Sequence, residues 1–361
     1  MASVLIRGLR MGFHRLDGRL ATISIRPYST DSTKDSKVSK YSPEALKKDV
    51  RGYVFTRYVD HVKNYDKGLQ KNFPSALRVY RVFVDGVAAF YQDMKRYIKI
   101  TRIINGSAQG LAALTRGELE LYLQMRLDMY KVAPVILFSS LPFVGYAALP
   151  LAALYPRALL SSHFWTLQQK AEFQQYYLIQ RLSNNRNVLR SLQSKLEEAK
   201  CLKYYEVWNH IIVLLGSGQH PSPNEILSIK DLFAESPYQF SSLTQTHIKY
   251  LCNIHGIRAG LFAIFGREKL RERADLLHHM DLAIRREGGV HNMHPDALKK
   301  ACYIRGLNPI NMSSDGMIEW LQGWVEVSLD LEEQHNSLLL HLPILLGYNH
   351  PNNWQLIYKK H

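Results

Sequence analysis

The sequence predicts an all-α chain organised around a single membrane span. Three observations carry this expectation: the 24 residues from Val132 to Tyr155 pass without a Lys, Arg, Asp, Glu or His, apolar residues recur at three- and four-residue spacing on both sides of that stretch, and no convincing period-two run is bounded by turn residues. About 20 apolar residues at 1.5 Å rise cross a hydrocarbon core of roughly 30 Å, so the stretch is long enough to span. A buried core helix is the competing reading. Pro134, Pro142 and Pro150 give it weight, because each removes an amide donor whose orphaned carbonyl partner must be satisfied elsewhere. The stretch holds no ionisable side chain, which favours an anchor over a charged transport path.

The chain has 361 residues, 46% hydrophobic and 21% charged, enough to build real cores. Its formal net charge is +15, and the excess lies before the uncharged stretch. Residues 1–28 carry five Arg and one Asp, residues 29–131 carry 19 basic and 11 acidic side chains, and from Pro156 onward 22 basic face 19 acidic. Bulk charge therefore gives the C-terminal part no nucleic-acid role. The three cysteines, Cys201, Cys252 and Cys302, are far apart and form no CxxC, as expected of free thiols in a reducing compartment.

Arg7, Arg10, Arg15, Arg19 and Arg26 alternate with apolar residues over 1–28, and only Asp17 is acidic. This Arg-rich, acid-poor amphipathic composition is that of a mitochondrial transit peptide, with cleavage expected near Tyr28. A polar linker follows over 29–42. Residues 43–131 read as a basic amphipathic helical region: Leu46 to Val62 show one helical pattern and Ser75 to Asn105 another, and a third starts at Thr115, where Thr-Arg-Gly-Glu forms a capping-box pattern. The decoration of this region suits the neighbourhood of a membrane. After Pro156 the aromatic segment Leu159 to Trp165 suits the headgroup level. Thr166 can cap a helix, and patterns continue over Asn185–Trp208, Pro223–Phe233, Ser242–His255, Phe265–Glu287, Pro295–Arg305, Ser314–Ser328 and Glu332–Leu346, separated by Gly and Pro breaks.

Catalytic and metal motifs are lacking. There is no phosphate-binding glycine loop, no GxSxG, no HExxH, no zinc-type Cys/His grid and no EF-hand loop, so neither an enzyme nor a bound cofactor or metal is expected. Capping or exposed roles are the default for His278, His279, His291 and His294. Asp315 and Glu319 are explained as acids in the early turns of a helix.

The segment His294-Pro295-Asp296-Ala297-Leu298-Lys299-Lys300-Ala301-Cys302-Tyr303-Ile304-Arg305-Gly306-Leu307 resembles the signature of the LETM family. Trp320, Leu321 and Trp324 are similar to the family's next helix, and Ser337 to Leu340 to its closing leucine run. The resemblance covers roughly residues 115–348, without the coiled coils and EF-hand of the family's long members. It implies a single-pass protein of the mitochondrial inner membrane, with residues 132–155 in the membrane and residues 156–361 forming a matrix-facing helical domain of the ribosome-binding type. It also implies partnership with the mitochondrial ribosome, with inner-membrane lipids, and with further copies of the chain or membrane-complex assembly factors. Cation/proton exchange, of potassium or calcium, is the alternative the family suggests. On the motif itself, Pro295 fits a first helical position, Gly306 a left-handed cap, and Cys302 with Leu298 a buried face, while Leu307 and Trp324 complete the family pattern. Lys299, Lys300 and Arg305 are the candidates for contact with phosphate or a carboxylate partner.

Overall fold

The computed structural model describes residues 74–139, 151–152, 154–257 and 265–358. The transit-peptide and linker expectations, and the helical pattern from Leu46 to Val62, fall outside these residues, as do Pro142 and Pro150. Among the described residues every regular element is helical. The helices are α1 (Pro74–Gly106), α2 (Arg116–Ser139), α3 (Pro156–Leu159), α4 (Leu167–Leu182), α5 (Asn185–Gln193), α6 (Tyr205–Gly216), α7 (Pro223–Ser228), α8 (Gln245–Ile254), α9 (Gly266–Arg286), α10 (Pro295–Ile304), α11 (Ser314–Leu329), α12 (Asn336–Leu345) and α13 (Pro351–Tyr358).

Helix starts follow the polar residues that the sequence places before them. Thr115 and Glu118 close the expected box, with the Glu118 amide donating to Thr115 Oγ1 at 3.4 Å and the Thr115 amide to Glu118 Oε2 at 3.0 Å. Thr166 with Gln169 and Ser222 with Glu225 do the same for α4 and α7. Ser194 to Tyr204, expected to be helical, instead runs through successive turns between α5 and α6. Its amides bond three residues back, as in Lys195 to Leu192 and Leu202 to Ala199. Lys195 is buried there, its Nζ donating to the carbonyls of Pro237 at 2.7 Å and Ser242 at 3.1 Å. A tertiary anchor thus overrides a helical local pattern.

The core is one continuous cluster. It takes in Ile100, Leu114 and Leu119 from before the uncharged stretch and runs through Trp208, Phe233, Leu251, Leu277, Cys302 and Trp324 to Leu346. Helices α1 and α2 therefore belong to the same packed body as the residues after 156. Tyr97 stacks on Tyr122 at 5.5 Å, while Asp93 and Asp128 meet across His163, so α1 and α2 run antiparallel. Helix α2 is antiparallel to α9 as well, tied by Arg116 to Glu287 at 3.6 Å and by Arg126 to Glu272 at 2.7 Å.

Helix α2 carries the chain into the uncharged stretch, with Pro134 inside it. Val132 and Val135 are still buried, whereas Ile136, Leu137 and Phe138 are exposed. Among the described residues no helix is long and apolar enough to cross a membrane, and 140–150 lie outside them. The aromatic segment after Pro156 departs from expectation. Trp165 is buried, donating to the Pro156 carbonyl at 3.1 Å and lying under Lys131, whose Nζ is 4.8 Å from the ring. The exposed residues flanking it are Leu154, Tyr155 and Leu167.

Candidate functional site

The motif helix α10 begins with Pro295 at its first turn and ends in a two-bond cap. The Leu307 amide donates to the Cys302 carbonyl at 3.0 Å and the Gly306 amide to the Tyr303 carbonyl at 3.1 Å, with Gly306 at φ +92°. This is the Schellman arrangement, whose reversal needs a residue that tolerates the left-handed region. Cys302 and Leu307, three-from-end and two-beyond, are both fully buried and supply its apolar contact. Burial pushes the Cys302 thiol up to about 12, so at neutral pH it packs as a small apolar group.

Arg305 departs from the contact role expected of it. It lies in the core, its Nη2 donating to Asp281 Oδ1 at 2.5 Å and its Nη1 to the Ala301 carbonyl at 2.9 Å. Trp324 donates from Nε1 to the other oxygen of Asp281 at 3.1 Å. The residue that the sequence placed on a basic edge therefore crosslinks α9, α10 and α11, and its guanidinium is not presented to a partner. Beside it, Arg181 of α4 donates to three carbonyls at once, Ile254, Tyr303 and Ile304, at 2.7 to 2.9 Å. These are carbonyls at the ends of α8 and α10, the groups a helix leaves unsatisfied. Neither Asp281 nor Arg181 was singled out from sequence, since no spacing rule links a residue to a partner 24 or 123 positions away.

Lys299 and Lys300 do face outward. Lys299 Nζ is 4.0 Å from Asp296, and Lys300 Nζ is 3.4 Å from Glu120 of α2. Glu120 also receives Arg116, which pairs in turn with Glu287 at the end of α9. Next to Glu287, Arg285 is exposed, and Arg286 holds the carbonyls of Ala112 and Leu114. Ala112, His279, Leu282, Arg285 and Arg286 line a recess of about 370 Å³. One end of the body thus presents mixed charge, with Asp296 exposed beside Lys299, Lys300 and Arg285.

A family profile described as "LETM1-like, RBD" matches residues 114–345. The chain belongs to the family of LETM1-like ribosome-binding domains. It is 28% identical over 309 residues to "LETM1 domain-containing protein 1" of Bos taurus and 27% identical over 309 residues to that of Homo sapiens, in each case covering 86% of both chains. With the Xenopus tropicalis protein of the same name it shares 27% over 288 residues, 80% of this chain and 82% of the relative.

The LETM1-like domain thus runs from just after the Gly110–Ala113 turn through α2 and α3 to the end of α12. Within it, His278 Nδ1 lies 3.1 Å from the Ser328 carbonyl and His279 Nδ1 2.7 Å from that of Asp275, both as donors to main chain. His294 caps α10, and Asp315 stands exposed in the first turn of α11 with Glu319 exposed beyond it. Among the described residues no group of three or more His, Cys, Asp or Glu side chains is arranged to hold a metal ion. A further cluster sits where α2 leaves the domain. His163 Nε2 is 3.1 Å from Asp93 and its Nδ1 3.1 Å from Ser161 Oγ and 3.8 Å from Asp128. Burial raises the Asp128 pKa, opposed by Lys131 and His163.

Proposed function

We propose that this chain is a non-enzymatic protein of the mitochondrial inner membrane, anchored by residues 132–155, whose helical domain faces the matrix, associates with mitochondrial ribosomes and supports membrane protein biogenesis. The observation that carries the reading is the match to the LETM1-like ribosome-binding domain over residues 114–345. Geometry adds a contact surface to it. The basic end formed by Arg285, Lys299 and Lys300 sits at the start of α2, and Val135 lies some 19 residues further along that helix, about 28 Å at 1.5 Å per residue. A ribosome held there stands clear of the lipid. The interspersed Glu287 and Asp296 suit contact with ribosomal protein more than with a bare phosphate backbone.

Co-sedimentation of the full chain in nanodiscs with purified mitochondrial ribosomes, across a salt series, tests the reading. Binding that weakens as salt rises is expected, and absence of binding at low salt overturns it. Cation/proton exchange is a second reading, and the Asp93, His163 and Asp128 cluster beside the uncharged stretch favours it. Potassium and calcium flux in proteoliposomes, compared between the chain and Asp128→Asn, tests that reading.

A further inference from the structure

Helix α1 changes character along one face. Val84, Val87, Tyr91, Lys95 and Arg102 follow the spacing of a single helical side. The first three are 40%, 47% and 59% exposed, large apolar groups left in solvent on a helix whose other side packs on α2 and on residues 162–164. From Lys95 on, the exposed positions are mostly basic: Lys95, Arg96, Lys99 and Arg102, with Arg96 3.6 Å from Asp93.

Register gives this gradient a direction. Tyr97 stacks on Tyr122, and Asp93 is level with Asp128 across His163. In an antiparallel pair of equal rise, each step back along α1 matches a step forward along α2. Val87 and Val84 are therefore level with about Ala133 and Ile136. Those α2 positions begin the uncharged stretch, where Ile136, Leu137 and Phe138 are also exposed. Close packing fixes the level, because a Cβ on Gly86 would stand 2.7 Å from the Phe164 ring and 2.9 Å from the His163 carbonyl. Tyr91 marks the changeover, with Lys95 Nζ 4.4 Å above its ring.

Apolar residues at the level where a helix enters lipid, an aromatic at the boundary and lysines just outside it form the order found across a membrane interface. We propose that α1 is a second membrane-contacting element, with Val84, Val87 and Tyr91 seated at the headgroup–acyl boundary of an anionic bilayer and Lys95 and Lys99 against its phosphates. This rests on the reading of residues 132–155 as the membrane segment. A bilayer fits the strip better than a protein partner because the strip is continuous in level with that segment and its charges beyond Tyr91, on Lys95, Lys99 and Arg102, are of one sign.

The test uses the full chain with Cys201→Ser, Cys252 and Cys302 being buried. An environment-sensitive fluorophore is placed by Val87→Cys, or by Lys203→Cys as an exposed control, and the chain is reconstituted into phosphatidylcholine vesicles with and without cardiolipin. Flotation reports anchoring; quenching by spin labels high on the acyl chain reports contact of α1. Expected are flotation of both chains, at least several-fold stronger quenching at Val87→Cys than at Lys203→Cys, and loss of the cardiolipin-dependent part of that quenching in Lys95→Glu/Lys99→Glu. A chain that floats with Val87→Cys unquenched overturns the proposal and leaves the anchor standing. A chain that does not float removes the anchor and the proposal with it. Quenching indifferent to Lys95→Glu/Lys99→Glu overturns the phosphate contact.

Discussion

Arg305 and Asp281 face one another inside the core, Nη2 to Oδ1 at 2.5 Å, with side chains 1% and 0% exposed. An ion pair this deep has given up its hydration, and removal of one member leaves the other charge stranded. Asp281→Ala is therefore expected to destabilise the domain by about 3–5 kcal/mol, and Arg305→Ala by a similar amount. Asp281→Leu with Arg305→Met, which removes both charges while filling the space, is expected to lose much less than the two single losses combined. Denaturant unfolding of the unaltered chain, Asp281→Leu, Arg305→Met and the double variant checks this, and additive losses would show that the two residues act independently.

Gly306 turns the chain at φ +92°, with Arg181 Nη2 and Pro343 each 3.5 Å from where a Cβ would stand. Space is sufficient, so the cost of Gly306→Ala is that of a left-handed residue bearing a side chain, about 1–2 kcal/mol. A larger loss would point to steric failure, and none at all to a cap that can rearrange. The same unfolding measurement reads it.

Those two positions also show what was legible in advance. The cap was readable, because Gly306 follows a helical pattern and only glycine takes that conformation cheaply. Likewise α1, α9 and α10 lie within a residue or two of their expected bounds, since Pro74, Gly106, Gly288 and Pro295 punctuate them locally. The role of Arg305 was not readable. On a helix wheel it is one more basic residue beside Lys299 and Lys300, and its burial follows from Asp281 on another helix. The turn from Ser194 to Tyr204 escaped for the same reason: Lys195 is fixed by carbonyls of a loop some 40 residues on. Local pattern reports periodicity and caps, and it is silent on buried polar partners.

Acid should weaken the fold through its interior histidines. His341 Nε2 lies 2.9 Å from His247 Nε2, and His341 Nδ1 lies 2.6 Å from the Ser337 carbonyl, while His255 Nε2 lies 2.8 Å from the Leu340 carbonyl. Burial lowers their pKa values to about 4 for His341, about 2 for His247 and about 3 for His255. An unfolded chain titrates them near 6.5, so between about pH 6.5 and 4 it takes up protons that the folded chain refuses. Stability is fully present above pH 6.5 and is lost as pH falls through that window, at roughly 2 kcal/mol for each such ring at pH 5. Melting temperature against pH is the measurement; a flat profile from pH 7 to 5 would contradict the neutral, sealed pairing.

Charge reversal at the basic end should separate binding from folding. Lys299 and Lys300 side chains are 54% and 42% exposed; the Lys299 contact with Asp296 at 4.0 Å is a surface pair of small worth, whereas Lys300 reaches the buried carboxylate of Glu120 at 3.4 Å. Lys299→Glu alone is accordingly expected to leave the melting temperature within a degree or two and Lys299→Glu/Lys300→Glu to lower it by a few degrees through repulsion at Glu120, while the double reversal weakens ribosome co-sedimentation about tenfold at low salt and flattens its salt dependence. Arg285→Glu, across the Arg116 and Glu120 link from Lys300, should act in the same direction. Reversal of Lys170 on α4, half-buried and away from this end, is the control. Equal loss with Lys170→Glu would mean that the ribosome senses overall charge alone, and undiminished binding with Lys299→Glu/Lys300→Glu would move the contact to another face.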